Sequence, residues 1–224
     1  MVGDSVYDTT TCTVGDDLIL PTPPTKRGYT FQGWQPFYVF LEYIESTGTQ
    51  WIDTGIKLNA ATDDIELVFR ANENTEGNSL FGARDSTVAM AYTFAISSDL
   101  RYRAGWNNAT PTLDLAADTD KHILKIEHIG GVFKLDNTII SISGDSSFVT
   151  PTTAGLFAIN ARSGQGVYYG QTKIYEYKMW RNGELVQHLI PARYTMARIG
   201  MYDTVTGTFF ENSGTGNFIG GPER

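Results

Sequence analysis

Apolar and polar positions alternate in short runs along most of the chain, and each run ends at a turn signal. Asp64-Ile65-Glu66-Leu67-Val68-Phe69-Arg70 puts Ile65, Leu67 and Phe69 on one face and Asp64, Glu66 and Arg70 on the other. That is the period of a half-buried strand. Residues 122–129 alternate as well, and Gly130-Gly131 then offers two positions that tolerate positive φ before Val132-Phe133-Lys134-Leu135. The pattern predicts a hairpin with a two-residue turn. A second hairpin is predicted from 173–180 and 184–190 around Asn182-Gly183. Shorter strands are expected over 50–56, 79–82, 91–96, 100–106, 139–143 and 155–159. No segment carries an apolar stripe at helical spacing. Short strands with turns between them predict an all-β fold, a two-sheet antiparallel jelly-roll sandwich.

The start of the chain reads differently. Leu18-Ile19-Leu20-Pro21-Thr22-Pro23-Pro24 leads into Lys26-Arg27-Gly28-Tyr29-Thr30-Phe31-Gln32-Gly33-Trp34. This Pro-punctuated segment is too small to hold a core alone. The expected organisation is a docking arm over 1–40 and a sandwich over 41–224, with Tyr29, Phe31 and Trp34 as the arm's contact residues. The Gly-rich carboxyl end is expected to stay ordered to Ile219.

Composition narrows the chemistry. In 224 residues, Lys+Arg 17 against Asp+Glu 25 leaves a net charge of −8. Nucleic-acid binding, which needs clustered cations, is not expected. The single Cys12 excludes an internal disulfide framework and a cysteine-built zinc site. No stretch approaches the ~20 apolar residues of a membrane-spanning helix, so membrane insertion is not expected. The first residues, MVGDSVYDTTTCTVGDD, carry neither a basic start nor an apolar run, so no secretory signal is expected.

Two motifs carry a resemblance. Glu42-Tyr43-Ile44-Glu45-Ser46-Thr47-Gly48-Thr49-Gln50-Trp51-Ile52-Asp53-Thr54-Gly55 resembles the opening of concanavalin A-like, laminin-G-type modules of gut bacteria and their phages. Leu189-Ile190-Pro191-Ala192-Arg193 and the run from Ile199 to Phe210 resemble their close. The likeness spans residues 41–221. Separately, the run from Pro24 to Trp34 is similar to the end of an internalin-type B repeat whose earlier strand is missing or shortened here. The resemblance implies a jelly-roll sandwich used outside cells or on virions for glycan binding and adhesion. A fold does not fix a ligand, so the site decides.

Retaining glycosidases need two carboxylates ~5–5.5 Å apart, and no E-x-D-x-E-like run supplies them. Glu45, Glu127 and Glu176 stand without visible partners, and Asp64 and Glu66 read as a solvated outer face. There is no nucleophile elbow and no phosphate-cradling loop. His122 and His128 lie about 20 Å apart along a strand, too far to share an ion, and His188 is alone. No metal site and no cofactor are expected. Only structural calcium stays open, as in laminin-G-like modules, through Asp118 and Asp120 or Asp203 with Asn212.

Sugar faces stack on aromatic rings while amides, carboxylates and guanidinia meet the hydroxyls. The best local cluster is Tyr102-Arg103-Ala104-Gly105-Trp106-Asn107-Asn108, its Trp and Asn pair at a strand end, with Arg84-Asp85 and Asn160-Ala161-Arg162 in loops that could converge on it. Tyr168-Tyr169 falls where the family pattern has strands, so core or hairpin packing is the reading there. The alternative is that Trp106 caps the core and the Asn pair makes a turn. The expectation is a non-enzymatic, surface-exposed adhesion module. A phage virion accessory protein is its expected setting: a capsid decoration, head fibre or tail fibre. Its arm would dock on other virion or surface subunits, and a homo-oligomer is one such arrangement. A secreted bacterial cell-surface lectin-like adhesin is the alternative, and a glycoside hydrolase the third reading.

Overall fold

The computed structural model describes residues 22, 23, 25, 27, 28, 30, 38–72, 78–85, 89–142, 145–162, 167–195 and 198–224. The chain divides into two units, Met1–Phe37 and Tyr38–Arg224. In the first, Arg27 and Gly28 form an exposed turn. Tyr29, Phe31 and Trp34, the expected docking residues, lie outside the described residues. The second unit begins at Tyr38, ahead of residue 41, since Val39-Phe40 already pairs with Arg193 and Ala192.

The described residues of the second unit are all-β without a helix, in two sheets that do not close into a barrel. The chain opens with β1 (Val39–Phe40) and β2 (Ile44–Glu45) in the larger sheet and β3 (Ile52–Asp53) in the smaller. It returns to the larger with β4 (Asp63–Ala71), then builds β5 (Ser79–Arg84), β6 (Ala91–Ile96), β7 (Arg101–Asn107) and β8 (Thr112–Ala116) of the smaller. The larger sheet takes β9 (Lys121–Glu127), β10 (Val132–Leu135) and β11 (Thr138–Ser141). The smaller takes β12 (Gly155–Leu156), β13 (Ala158–Ala161) and β14 (Val167–Tyr169). Last come β15 (Thr172–Arg181), β16 (Glu184–Thr195), β17 (Arg198–Asp203), β18 (Phe209–Phe210) and β19 (Ile219–Gly220), all in the larger sheet.

The larger sheet runs β11-β10-β9-β4-β15-β16-β17-β18, and the smaller β14-β13-β5-β6-β7-β8. Pairing is antiparallel except between β13 and β5. The fold is thus the two-sheet, jelly-roll-like sandwich that the alternation predicts.

The Asn182-Gly183 hairpin forms as expected: Arg181 faces Glu184, and both turn residues take positive φ, 52° and 78°. That pair suits the twist of a two-residue hairpin. The other hairpin differs. Its ladder closes at Glu127 opposite Val132, so the loop holds four residues, His128 to Gly131. The His128 N–H leaves the ladder to donate to Asp64 Oδ1 at 2.8 Å, and its ring reaches the same oxygen at 2.7 Å.

Large aromatic side chains fill the space between the sheets. Phe94 and Tyr102 stack with centroids 5.3 Å apart, and Phe81 of the smaller sheet meets Tyr177 of the larger at 5.7 Å. Ile65, Leu67 and Phe69 of β4 are buried, as their shared face predicts. Where β4 begins, Asp63 is fully buried and gripped by Arg181 through Nε–Oδ1 at 2.8 Å and Nη2–Oδ2 at 2.7 Å. The same carboxylate accepts the Asn59 N–H at 2.7 Å and the Thr62 hydroxyl at 2.8 Å. A buried charge is tolerated only when paired and hydrogen-bonded in this way.

Candidate functional site

The backbone brings most of the expected sugar-binding cluster to one end of the smaller sheet. Ala91 pairs with Asn107, Ala161 with Arg84, and the Arg162 N–H donates to the Arg84 carbonyl at 3.1 Å. The side chains tell a different story. Trp106 is 0% exposed, its ring held by Tyr92 at 4.9 Å, Phe148 at 5.6 Å and Phe133 at 6.2 Å. It offers no ring face to a sugar and belongs to the core. The reason is strand parity: Tyr102, Ala104 and Trp106 point inward together, and Arg103 points the other way.

Asn107 and Asn108 make the turn beyond it. Trp106 and Ala109 exchange backbone bonds at 2.8 and 3.0 Å, Asn107 takes φ 52°, and its side chain donates to the Asp145 carbonyl at 3.2 Å. The Asp85 N–H donates to the Ala89 carbonyl at 3.0 Å. Arg162 is exposed beside Arg84.

Arg84 stands in a cleft on the face of the smaller sheet turned away from the core. The cleft holds about 270 Å³ and is lined by Arg84, Arg103, Tyr168, Thr93, Ser79 and Ile159, among others. Its floor is made of small side chains. Thr93 pairs with Gly82 on one side and Gly105 on the other, and a Cβ on Gly105 would lie 2.2 Å from Thr93 Oγ1. Glycine there keeps the floor open. The Arg84 guanidinium sits 4.5 Å over the centre of the Tyr168 ring, a cation–π distance. Arg103 is pinned to Thr110, Nε to the carbonyl at 3.0 Å and Nη2 to the hydroxyl at 2.8 Å. No carboxylate lines the cleft among the described residues. Sequence reasoning puts Arg103 inside the cluster without singling it out and gives Tyr168 to core or hairpin packing. The parity that buries Trp106 turns Arg103 outward, and Tyr168 is 38% exposed.

The larger sheet's outer face is a self-paired charge network. Lys178 Nζ lies 3.2 Å from both Glu66 Oε1 and Glu176 Oε1, and Lys125 reaches Glu66 at 3.0 Å. Partial burial works to raise the Glu66 carboxyl, but its bonds with Lys125 and Lys178 outweigh burial and hold it below the ordinary value. Glu176 is treated alike: burial raises it, while His188 and Lys178 lower it further. Both are ionised near neutrality, so this pair lacks the proton donor that glycoside hydrolysis needs. Glu45 and Glu127 face Lys173 and Lys134.

Glu176, His188 and Thr204 also form a carboxylate–imidazole–hydroxyl line, with contacts of 2.7 and 3.0 Å. An acyl-transfer nucleophile would also need N–H groups aimed at an oxyanion. The N–H groups of Thr204, Val205 and Gly207 already bond to the His188 carbonyl, Asp203 Oδ1 and the Asp203 carbonyl. A second groove of about 680 Å³, lined by Glu42, Lys121, Ile123, Tyr175 and Arg224 among others, is similarly engaged. Lys121 Nζ covers the Tyr175 ring at 4.0 Å, and Arg224 Nη2 donates to the Tyr175 carbonyl at 2.9 Å.

Of the loop groups considered for calcium, Asp118, Asp203 and Asn212 have protein partners. Asp203 is buried; Oδ1 accepts the His188 and Val205 N–H groups, and Oδ2 the Thr206 hydroxyl. Asn212 Oδ1 accepts the Trp51 and Gly214 N–H groups. Among the described residues no group of three or more His, Cys, Asp or Glu side chains is placed to hold a metal ion. Asp118 instead meets His122, whose ring lies between Asp118 Oδ1 and Asp136 Oδ2 at 2.7 Å each.

This clasp ties the start of β9 to the turn after β10 and is sensitive to pH. Burial works to lower the His122 pKa, yet the bonds with Asp136 and Asp118 outweigh it and raise the group above 6.5. Burial works to raise Asp118, and its bonds from His122 and the Asp120 N–H bring it below 3.8. The histidine's contribution is complete below about pH 6.5 and fades as pH rises through its folded value. The aspartate's is complete above about pH 4 and fades as pH falls. The Tm gap between wild type and His122→Gln is therefore expected to peak near pH 5 and shrink toward pH 8. Thermal melts at both values check this, and a gap that widens toward pH 8 would refute it.

In comparisons with known proteins, no family model matches the chain, and no curated protein or solved structure matches it. Among the described residues no helix is long and apolar enough to cross a membrane.

Proposed function

We propose that the sandwich is a non-catalytic binding module displayed on a surface, with glycan adhesion as its role and a phage particle as its setting. One observation carries the binding half: a cleft on the smaller sheet combines an aromatic ring, two guanidinia and a floor of small residues. These are the groups that meet a sugar's apolar face and its oxygens. The non-catalytic half is supported by the ion-paired carboxylates of the outer face. The virion setting rests on the resemblance of the opening and closing motifs to modules of gut bacteria and their phages. Glycan-array binding with the full chain tests the reading. Saccharide binding that Tyr168→Ala abolishes is expected, and silence on every sugar would leave a purely structural component.

A further inference from the structure

We infer that the Arg84 cleft recognises an oxyanion carried on a sugar, so that the module selects acidic glycans over neutral ones. This rests on the binding reading above and names its ligand class. Arg84 is the anchor. A guanidinium carries five N–H donors, and among the described residues that of Arg84 makes no hydrogen bond or ion pair. Its Nε is shut off from solvent without an acceptor. A buried donor on a charged group is costly to leave unmatched. The Nη groups are not shut off in this way, and they are the donors an arriving acceptor meets.

The surroundings favour an anion as that acceptor. Arg101, Arg181, Arg193 and Arg198 each face a carboxylate: Asp114, Asp63, Glu223 and Glu211. Among the described residues Arg84 and Arg103 show no carboxylate partner, and neither do Arg70, Arg162 and Arg224, in a chain of net charge −8. Of these, Arg84 and Arg103 line the same cleft. Tyr168 lies against the Arg84 guanidinium, ring centre 4.5 Å from Cζ, and the guanidinium's N–H fork makes no bond to the described residues. Carboxylate and sulfate oxygens match that fork. The remaining walls, Ile159, Ala95, Thr93 and Ser79, are apolar or hydroxyl-bearing. They suit the ring to which the anion is attached rather than a bare ion.

Calorimetric titration of the full chain tests this with four probes: tetragalacturonate, its methyl ester, a 6-sulfated galactose oligomer and its desulfated form. Binding of at least one charged probe is expected, about tenfold or more tighter than its neutral counterpart and weakening as salt rises. The charged pair that shows the difference identifies carboxylate or sulfate as the group bound. Arg84→Gln is expected to lose about tenfold or more of that affinity, with Arg84→Lys intermediate. Thermal melts of both variants separate lost binding from lost folding. Equal affinity for charged and neutral probes, or full affinity in a folded Arg84→Gln, would overturn the anion inference while leaving glycan binding intact. Inorganic sulfate binding as tightly as the sulfated oligomer would overturn its sugar half. No binding to any of the four, nor to any array glycan, would overturn both readings.

Discussion

Replacing Trp106 with alanine is expected to remove about 3–5 kcal/mol of stability, the usual effect of deleting a large buried aromatic. Its ring touches Tyr92, Phe133 and Phe148 from both sheets, so truncation opens a cavity that the rigid strands around it cannot close. In a two-state unit of this size the Tm should fall on the order of 10 °C. The urea midpoint should drop with an unchanged slope. Asn108→Ala, in the exposed turn two residues on, should stay within about 0.5 kcal/mol. A Trp106→Ala variant as stable as wild type but unable to bind a sugar would return Trp106 to the binding surface.

The second large effect is expected at Asp63. Asp63→Ala should cost about 3–4 kcal/mol, since it removes a buried charge partner and the acceptor of four hydrogen bonds at once. Their donors are the Arg181 fork, the Asn59 N–H and the Thr62 hydroxyl. Arg181→Ala should be milder. Its side chain is 39% exposed, against 0% for Asp63, and the carboxylate would keep the Asn59 and Thr62 bonds. Chemical denaturation of both single variants and the double variant measures the coupling. Equal effects from the two single variants would contradict the asymmetry.

Much of the architecture is legible in local alternation because one face of most strands is buried. β6 occupies the predicted 91–96, and β4 extends the predicted 64–70 by one residue at each end. Less legible is Gly155-Leu156-Phe157-Ala158-Ile159, which reads as one strand and forms two. Phe157 takes φ 64° and buries its ring against Phe218 at 4.9 Å. β12 therefore runs antiparallel to β5 and β13 parallel to it, an outcome of tertiary packing that no local pattern announces. β8, Thr112–Ala116, is a half-exposed edge strand with a weak pattern behind Pro111.

The candidate site was half legible. Arg84 stood out beside a turn, but the Trp106 cluster was read as a unit, whereas alternate residues of a strand face opposite ways. The His122 clasp was hidden for another reason. Asp136 lies fourteen residues away in sequence and becomes a neighbour only through the hairpin register.

The larger sheet's strand order also bears on how the molecule is born. β4 hydrogen-bonds to β9 on one side and β15 on the other, its last partner in the ladder being Arg181. During synthesis from the amino end, both long edges of β4 stand open until β9 emerges, and one stays open until the chain has reached Arg181. Such distant pairing makes folding slow, and an open apolar edge can recruit a like segment from another nascent chain. Crowded translation of this chain should therefore favour aggregation before the sheet is complete, and holding β4 apart until β15 arrives should favour yield.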